Sequence, residues 1–266
     1  MHITKYTTEG YKTETDELAV EEPLEIRLAF QSGLQYVEKS ISITMRTPGN
    51  DEELAMGFLF TEGIIDNYDQ IETVQSLEEN IIILKLADHV KPDIDKLQRN
   101  FYTSSSCGVC GKSSIDAIHT LTKNSSDIGT VEVHSSLLYK LPSLLRHNQY
   151  VFDQTGGLHA SALFNPKGEL LMVREDVGRH NALDKIIGAS LKNRTLPLTD
   201  HLLLLSGRAS FELVQKSAMA GMVFMVAIGA PSSLAVSLAK ERGITLVGFL
   251  KSDRFNIYCG SERIKN

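Results

Sequence analysis

The sequence predicts a mixed α/β fold in two stretches, and two observations carry that prediction. Before about residue 100 the chain shows alternating apolar and polar residues of strand type, and after residue 113 short apolar runs alternate with helical stretches. The second pattern is that of a largely parallel sheet covered by helices on both faces.

In the first stretch, Leu24 to Leu28 and Ile41 to Met45 alternate as half-buried strands, and Asn80 to Leu86 reads as a third, more apolar one. Between them Arg46-Thr47-Pro48-Gly49-Asn50 makes a turn. Asn50-Asp51-Glu52-Glu53 has the form of a capping box opening a helix through Leu54, Phe58 and Leu59, which Gly63 ends. The polar stretch 87–112 reads as an irregular linker. This gives a β-rich N-terminal subdomain over residues 1–100, a mobile cysteine loop over 101–112, and an α/β domain over 113–266.

In the second stretch the strands are Glu169 to Val173, His201 to Leu205, Val223 to Ile228 and Thr245 to Phe249. Helices over roughly Ala182–Leu191, Phe211–Ala220 and Leu234–Arg242 separate them. Loops at the carboxyl ends of such strands hold ligands, because the helices that follow present free amides to anions. Those loops are polar here: Arg174 to Asn181, Ser206-Gly207-Arg208-Ala209-Ser210, and Gly229-Ala230-Pro231-Ser232-Ser233. Ser210 and Ser233 are placed to cap helices, and a phosphate-bearing ligand would meet amides, hydroxyls and arginines together. The competing reading is that the arginines only pair with Glu175, Asp176 or Glu212. Residues 153–163 read as a loop that sets His159 after a glycine pair; a lone histidine is more often structural than catalytic.

The chain has 266 residues, 42% hydrophobic, with a formal net charge of −6. That balance, with no Lys/Arg tract, argues against a nucleic-acid surface, and no run reaches transmembrane length. A cytoplasmic protein without membrane or nucleic-acid partners is the expectation. Two of the three cysteines stand three apart in Ser106-Cys107-Gly108-Val109-Cys110-Gly111-Lys112, ahead of a helical pattern from Ser113 to Leu121. A helix N-terminus and Lys112 both favour thiolate over thiol. A structural zinc site wants four ligands, and no second Cys-x-x-Cys exists. A thioredoxin-type pair would follow the first strand of a small domain, and two inert buried thiols would need apolar surroundings that a Ser/Gly loop lacks. The balance favours a nucleophile or sulfur carrier, and no bound zinc is expected. A zinc nucleobase deaminase would carry glutamate two positions after its histidine and a cysteine pair beyond it, whereas position 161 is serine and the pair lies earlier.

Taken together, Arg46 to Phe58, Ser106 to Gly111, Thr155 to His159, Arg174 to Lys185, Ser206 to Arg208 and Gly229 to Ser233 resemble the FdhD family, the sulfur carriers or sulfurtransferases needed to mature formate dehydrogenases. The string Arg174-Glu175-Asp176-Val177-Gly178-Arg179-His180-Asn181-Ala182-Leu183-Asp184-Lys185 is the most distinctive. The resemblance implies a cytidine-deaminase-like α/β domain and a homodimer. It implies that a cysteine desulfurase hands sulfur to the pair Cys107 and Cys110, with the persulfide on Cys107. The sulfur would pass to a molybdenum or tungsten bis(guanine dinucleotide) pterin cofactor destined for formate dehydrogenase. It places the guanine-dinucleotide contact at Val247, Gly248, Phe249, Leu250, Lys251 and Ser252. The reading of the strand ends adds Ser206, Gly207 and Arg208. The alternative is an insertion chaperone that holds the cofactor without transferring sulfur.

Overall fold

The computed structural model describes residues 1–93 and 131–266. An N-terminal hairpin pairs β1 (His2–Thr7) with β2 (Gly10–Thr15). Next come β3 (Glu22–Ser32), β4 (Gln35–Arg46), a helix over Asp51–Thr61, β5 (Ile71–Glu78) and β6 (Ile81–Leu86). These last four strands form one sheet in the order β4-β3-β6-β5. Alternation dictates β3: Leu24, Ile26, Leu28 and Phe30 are buried while the residues between them are not.

Beyond residue 130, β7 (Val133–His134) leads into three short helices, Ser135–Leu138, Leu141–Arg146 and Tyr150–Thr155. Then follow β8 (His159–Phe164), β9 (Leu170–Asp176), a helix over Arg179–Lys192, β10 (Leu202–Leu205), a helix over Phe211–Met219, β11 (Phe224–Ala227), a helix over Ser233–Glu241, β12 (Thr245–Gly248) and β13 (Asn256–Cys259). Near the end, β14 (Ile264–Lys265) runs parallel to β7. The larger sheet has the order β13-β12-β11-β10-β8-β9.

The expected largely parallel sheet is mixed. Only β10, β11 and β12 run parallel; β8, β9 and β13 are antiparallel to their neighbours. A parallel pair needs a crossover, and helices 211–219 and 233–241 supply the two that exist. The β8–β9 hairpin and the return into β13 can only pair antiparallel. β9 is also an edge strand, half-exposed rather than covered on both faces.

Two further details differ from the sequence reading. Asn50 has φ 58° and makes no side-chain cap, so the capping box is absent; the acidic first turn is used for ion pairs instead. The segment around His159 is the start of β8, with Gly156 closing the preceding helix at φ 67°.

Helix 51–61 joins the two stretches, because it lies against helix 179–192 with no room for a side chain at the crossing. A Cβ on Gly57 would sit 1.9 Å from the Asp184 carbonyl oxygen, and one on Gly188 1.8 Å from that of Glu53. One buried cluster accordingly contains Leu24, Leu54, Leu84, Leu183, Ile187, Leu203 and Met225 from both stretches. A second cluster, including Leu138, Phe164, Leu204 and Val247, covers the other face of the larger sheet. Among the described residues no helix is long and apolar enough to cross a membrane.

Candidate functional site

The distinctive string at 174–185 is, for the most part, a buried ionic frame. The Asp176 carboxylate is fully buried and lies 2.8 Å from Lys185 Nζ; it also accepts from the amides of Thr47 and Gly178 and from Asn181 Nδ2. Lys185 Nζ donates in addition to the carbonyl oxygens of Thr47 and Glu175. Arg174 grips Glu53 through Nε and Nη2, Arg46 grips Asp51 in the same two-pronged way, and Lys216 Nζ bonds both carboxylate oxygens of Asp184. The Glu175 carboxylate accepts from the amides of Val151 and Phe152. Buried charges persist only when paired this completely.

These pairings leave Arg179 and Arg208 aside. Glu175 and Asp176 are taken, and the carboxylate of Glu212 lies 3.9 Å from His180 Nε2. Among the described residues Arg179 and Arg208 form no ion pair, although Arg27, Arg46, Arg146, Arg174 and Arg194 do. Arg179 opens the helix that follows β9, and Arg208 is exposed in the loop that follows β10.

The three parallel strands end in loops tied edge to edge. The amide of Gly229 donates to Gly207 O at 2.9 Å, that of Phe249 to Gly229 O at 3.1 Å, and that of Leu250 to Ala227 O at 3.1 Å. Glycine is required where the loops touch: a Cβ on Gly229 would lie 3.0 Å from Arg208 N, and one on Gly248 2.8 Å from Pro231 Cδ. A Cβ on Gly207 would lie 3.2 Å from His159 Nδ1, so the His159 ring rests over this glycine. His159 is cross-strand partner to Asp176. Burial, and secondarily the Arg179 cation, hold its pKa below the usual histidine value; the Asp176 carboxylate partly opposes them. His159, Arg179, Gly207 and Arg208 thus meet at one end of the sheet. The sequence places Arg179 in one of the polar strand-end loops but does not name His159 as a member of the site, because β8 has the composition of a loop and its register with β9 and β10 is a tertiary fact.

The remaining expected residues fall as follows. Cys107 and Cys110, with Lys112 and the helix after them, lie outside the described residues. Ser206 Oγ accepts from the Ala160 amide, fastening its loop to β8. Val247 and Leu250 are buried in the core, Gly248 ends β12, Phe249 is exposed at φ 52°, and Lys251 and Ser252 are exposed. Ser232, not Ser233, caps helix 233–241 by accepting from the Ala235 amide; Ser210 holds the cap position of helix 211–219 without a cap bond and meets His180 instead.

The FdhD/NarQ family model matches residues 19–265. The sulfur carrier protein FdhD of Streptomyces coelicolor is 50% identical over 263 residues, covering 95% of this chain and 90% of that protein. The protein of the same name from Saccharolobus solfataricus is 43% identical, covering 97% of this chain and 94% of that one. A crystal structure from Desulfotalea psychrophila, assigned as a formate dehydrogenase accessory protein, superposes with a TM-score of 0.77 over 99% of this chain and 97% of that one; at 24% identity the likeness is one of fold.

Proposed function

The chain belongs to the FdhD/NarQ family, and on that premise we propose that it is a sulfur carrier in the maturation of formate dehydrogenase. The observation that carries the reading is near full-length identity of about half to relatives that bear that name. In this reading a Cys107 thiolate attacks the outer sulfur of a cysteine desulfurase persulfide. The old sulfur–sulfur bond breaks with its electron pair returning to the desulfurase thiolate, and Cys107 then carries the persulfide. Attack of the Cys110 thiolate on Cys107 releases that sulfur as hydrosulfide to its acceptor and leaves a Cys107–Cys110 disulfide, which a cellular dithiol reduces.

The acceptor is the molybdenum or tungsten bis(guanine dinucleotide) pterin, a substrate rather than a resident cofactor of the carrier. The strand ends suit its pyrophosphates: Arg179 and Arg208 have no carboxylate partner among the described residues, and Gly207 and Gly229 let the loops that carry them pack closely together. Phe249, Lys251 and Ser252 extend the same surface and are assigned to the guanine. Val247, Gly248 and Leu250 hold that segment in place, as Ser206 does for its own loop. The protein is taken to act as a homodimer in the cytoplasm.

Mass spectrometry after incubation with a cysteine desulfurase and cysteine tests the loading. One added sulfur atom per chain is expected, absent in Cys107→Ala and retained in Cys110→Ala; equal loading of Cys107→Ala refutes its role. Calorimetry tests the binding surface: GDP should bind better than ADP, and Arg208→Ala should lose about 1.5–3 kcal/mol. GDP binding without any sulfur loading would leave a protein that only holds the cofactor.

A further inference from the structure

His159 differs from the histidines that the fold uses structurally. His134 and His147 bond neighbouring serines, and His180 lies against Ser210 and Glu212. The His159 ring makes no hydrogen bond among the described residues. It is half-buried, its Nδ1–Cε1 edge comes up against Gly207, where a Cβ would stand 3.2 Å from Nδ1, and neither ring nitrogen has a hydrogen-bond partner among the described residues. Beside it stands Arg179 at the start of helix 179–192, and next to Gly207 stands Arg208.

We propose that His159 is the residue of the strand-end site that takes up a proton as a pyrophosphate diester binds, and then donates a hydrogen bond to it. The inference rests on the nucleotide-binding reading above and adds to it a residue, a protonation step and a pH dependence.

The charged groups facing the ring set the direction. From β9, Asp176 attracts a proton to His159, yet its charge is already spent on Lys185 at 2.8 Å. From the helix start Arg179 repels one, and burial adds to that repulsion. Arg208, next to Gly207 on the adjoining loop, forms no ion pair among the described residues; Glu212, on helix 211–219, faces His180 at 3.9 Å. In the free site burial and the Arg179 cation thus disfavour the protonated ring. A pyrophosphate diester brings two negative charges, neutralises Arg179 and Arg208, and turns the field at His159 from repulsive to attractive. Binding and protonation then favour each other reciprocally. A neutral ring that gains its proton only with the anion also leaves no third bare cation in the free protein to hold a counter-ion.

The probe is GDP-glucose, a guanosine pyrophosphate diester with no phosphate that titrates between about pH 5.5 and about pH 8, so any proton taken up belongs to the protein. Isothermal calorimetry on the full chain in two buffers of different ionisation enthalpy should show net proton uptake at about pH 6.5 to 7. The dissociation constant should weaken as pH rises, by at most about tenfold per pH unit. His159→Gln keeps a hydrogen-bonding side chain that cannot charge; it should flatten the profile and abolish uptake. Binding by the wild-type protein with no uptake and a flat profile overturns the role of His159 and leaves the nucleotide site standing. A slope that survives His159→Gln and disappears in His180→Gln also overturns it. Absence of binding at every pH sinks the nucleotide reading itself, and this inference with it. Uptake is read on the wild-type protein, so the test holds even if a variant folds poorly.

Discussion

Gly57→Ala tests the joint between the two stretches. The new Cβ would stand 1.9 Å from the Asp184 carbonyl oxygen and 2.6 Å from its carbon, whereas such contacts do not fall below 3.0 Å. The obstacle is backbone in a helix, so no side chain can swing aside, and the helices must part by at least 1.1 Å, the difference between 3.0 and 1.9 Å. Parting them loosens Leu54, Leu183 and Ile187, all essentially inaccessible to solvent. Overpacking of this kind costs up to about 3 kcal/mol, and the better helix propensity of alanine returns about 1 kcal/mol, for a net loss of about 2 kcal/mol. Urea unfolding followed by far-ultraviolet circular dichroism should show a midpoint lower by roughly 0.7–1 M at an unchanged slope of about 2–3 kcal/mol per M. Gly188→Ala meets the Glu53 carbonyl at 1.8 Å and should behave alike. A Gly57→Ala protein as stable as the parent, or more so, would refute the close crossing and with it the shared core.

Lys216→Met should destabilise the protein by about 3–5 kcal/mol, because it strands the buried Asp184 carboxylate; thermal unfolding should also show Lys216→Met/Asp184→Asn recovering part of the loss, and no recovery would mean that the pair is not the cause. Stability should fall in mild acid: burial lowers the pKa of both His159 and His201 in the folded state, so below about pH 6.5 the unfolded chain binds more protons than the native one. The melting temperature should therefore be lower at about pH 5.5 than at about pH 7.5, and His201→Gln should shrink that difference; a pH-independent melting temperature across this range would contradict the burial of these rings.

Local chemistry was enough for the elements with a strong period. The alternation of Leu24, Ile26, Leu28 and Phe30 fixes β3, the apolar runs at 202–205, 224–227 and 245–248 are the central strands, and the polar loop after the first of them holds Arg208, which forms no ion pair among the described residues. Family membership was equally legible, since motifs spread from Arg46 to Ser233 outlast any ambiguity about secondary structure. The hairpin 2–15 escapes a reading by period because its Thr, Tyr, Lys and Glu residues are polar on both faces, and β8 because Gly156-Gly157 and the small residues after them look like a loop. Strand direction, the crossing of helices 51–61 and 179–192, and the division of the 174–185 string into a buried frame and an Arg179 with no ion pair among the described residues depend on residues far apart in the chain. So does the meeting of His159 with Gly207. Pairing of charges decides which arginines lack a carboxylate partner among the described residues, and that pairing exists only once the sheets have closed on one another.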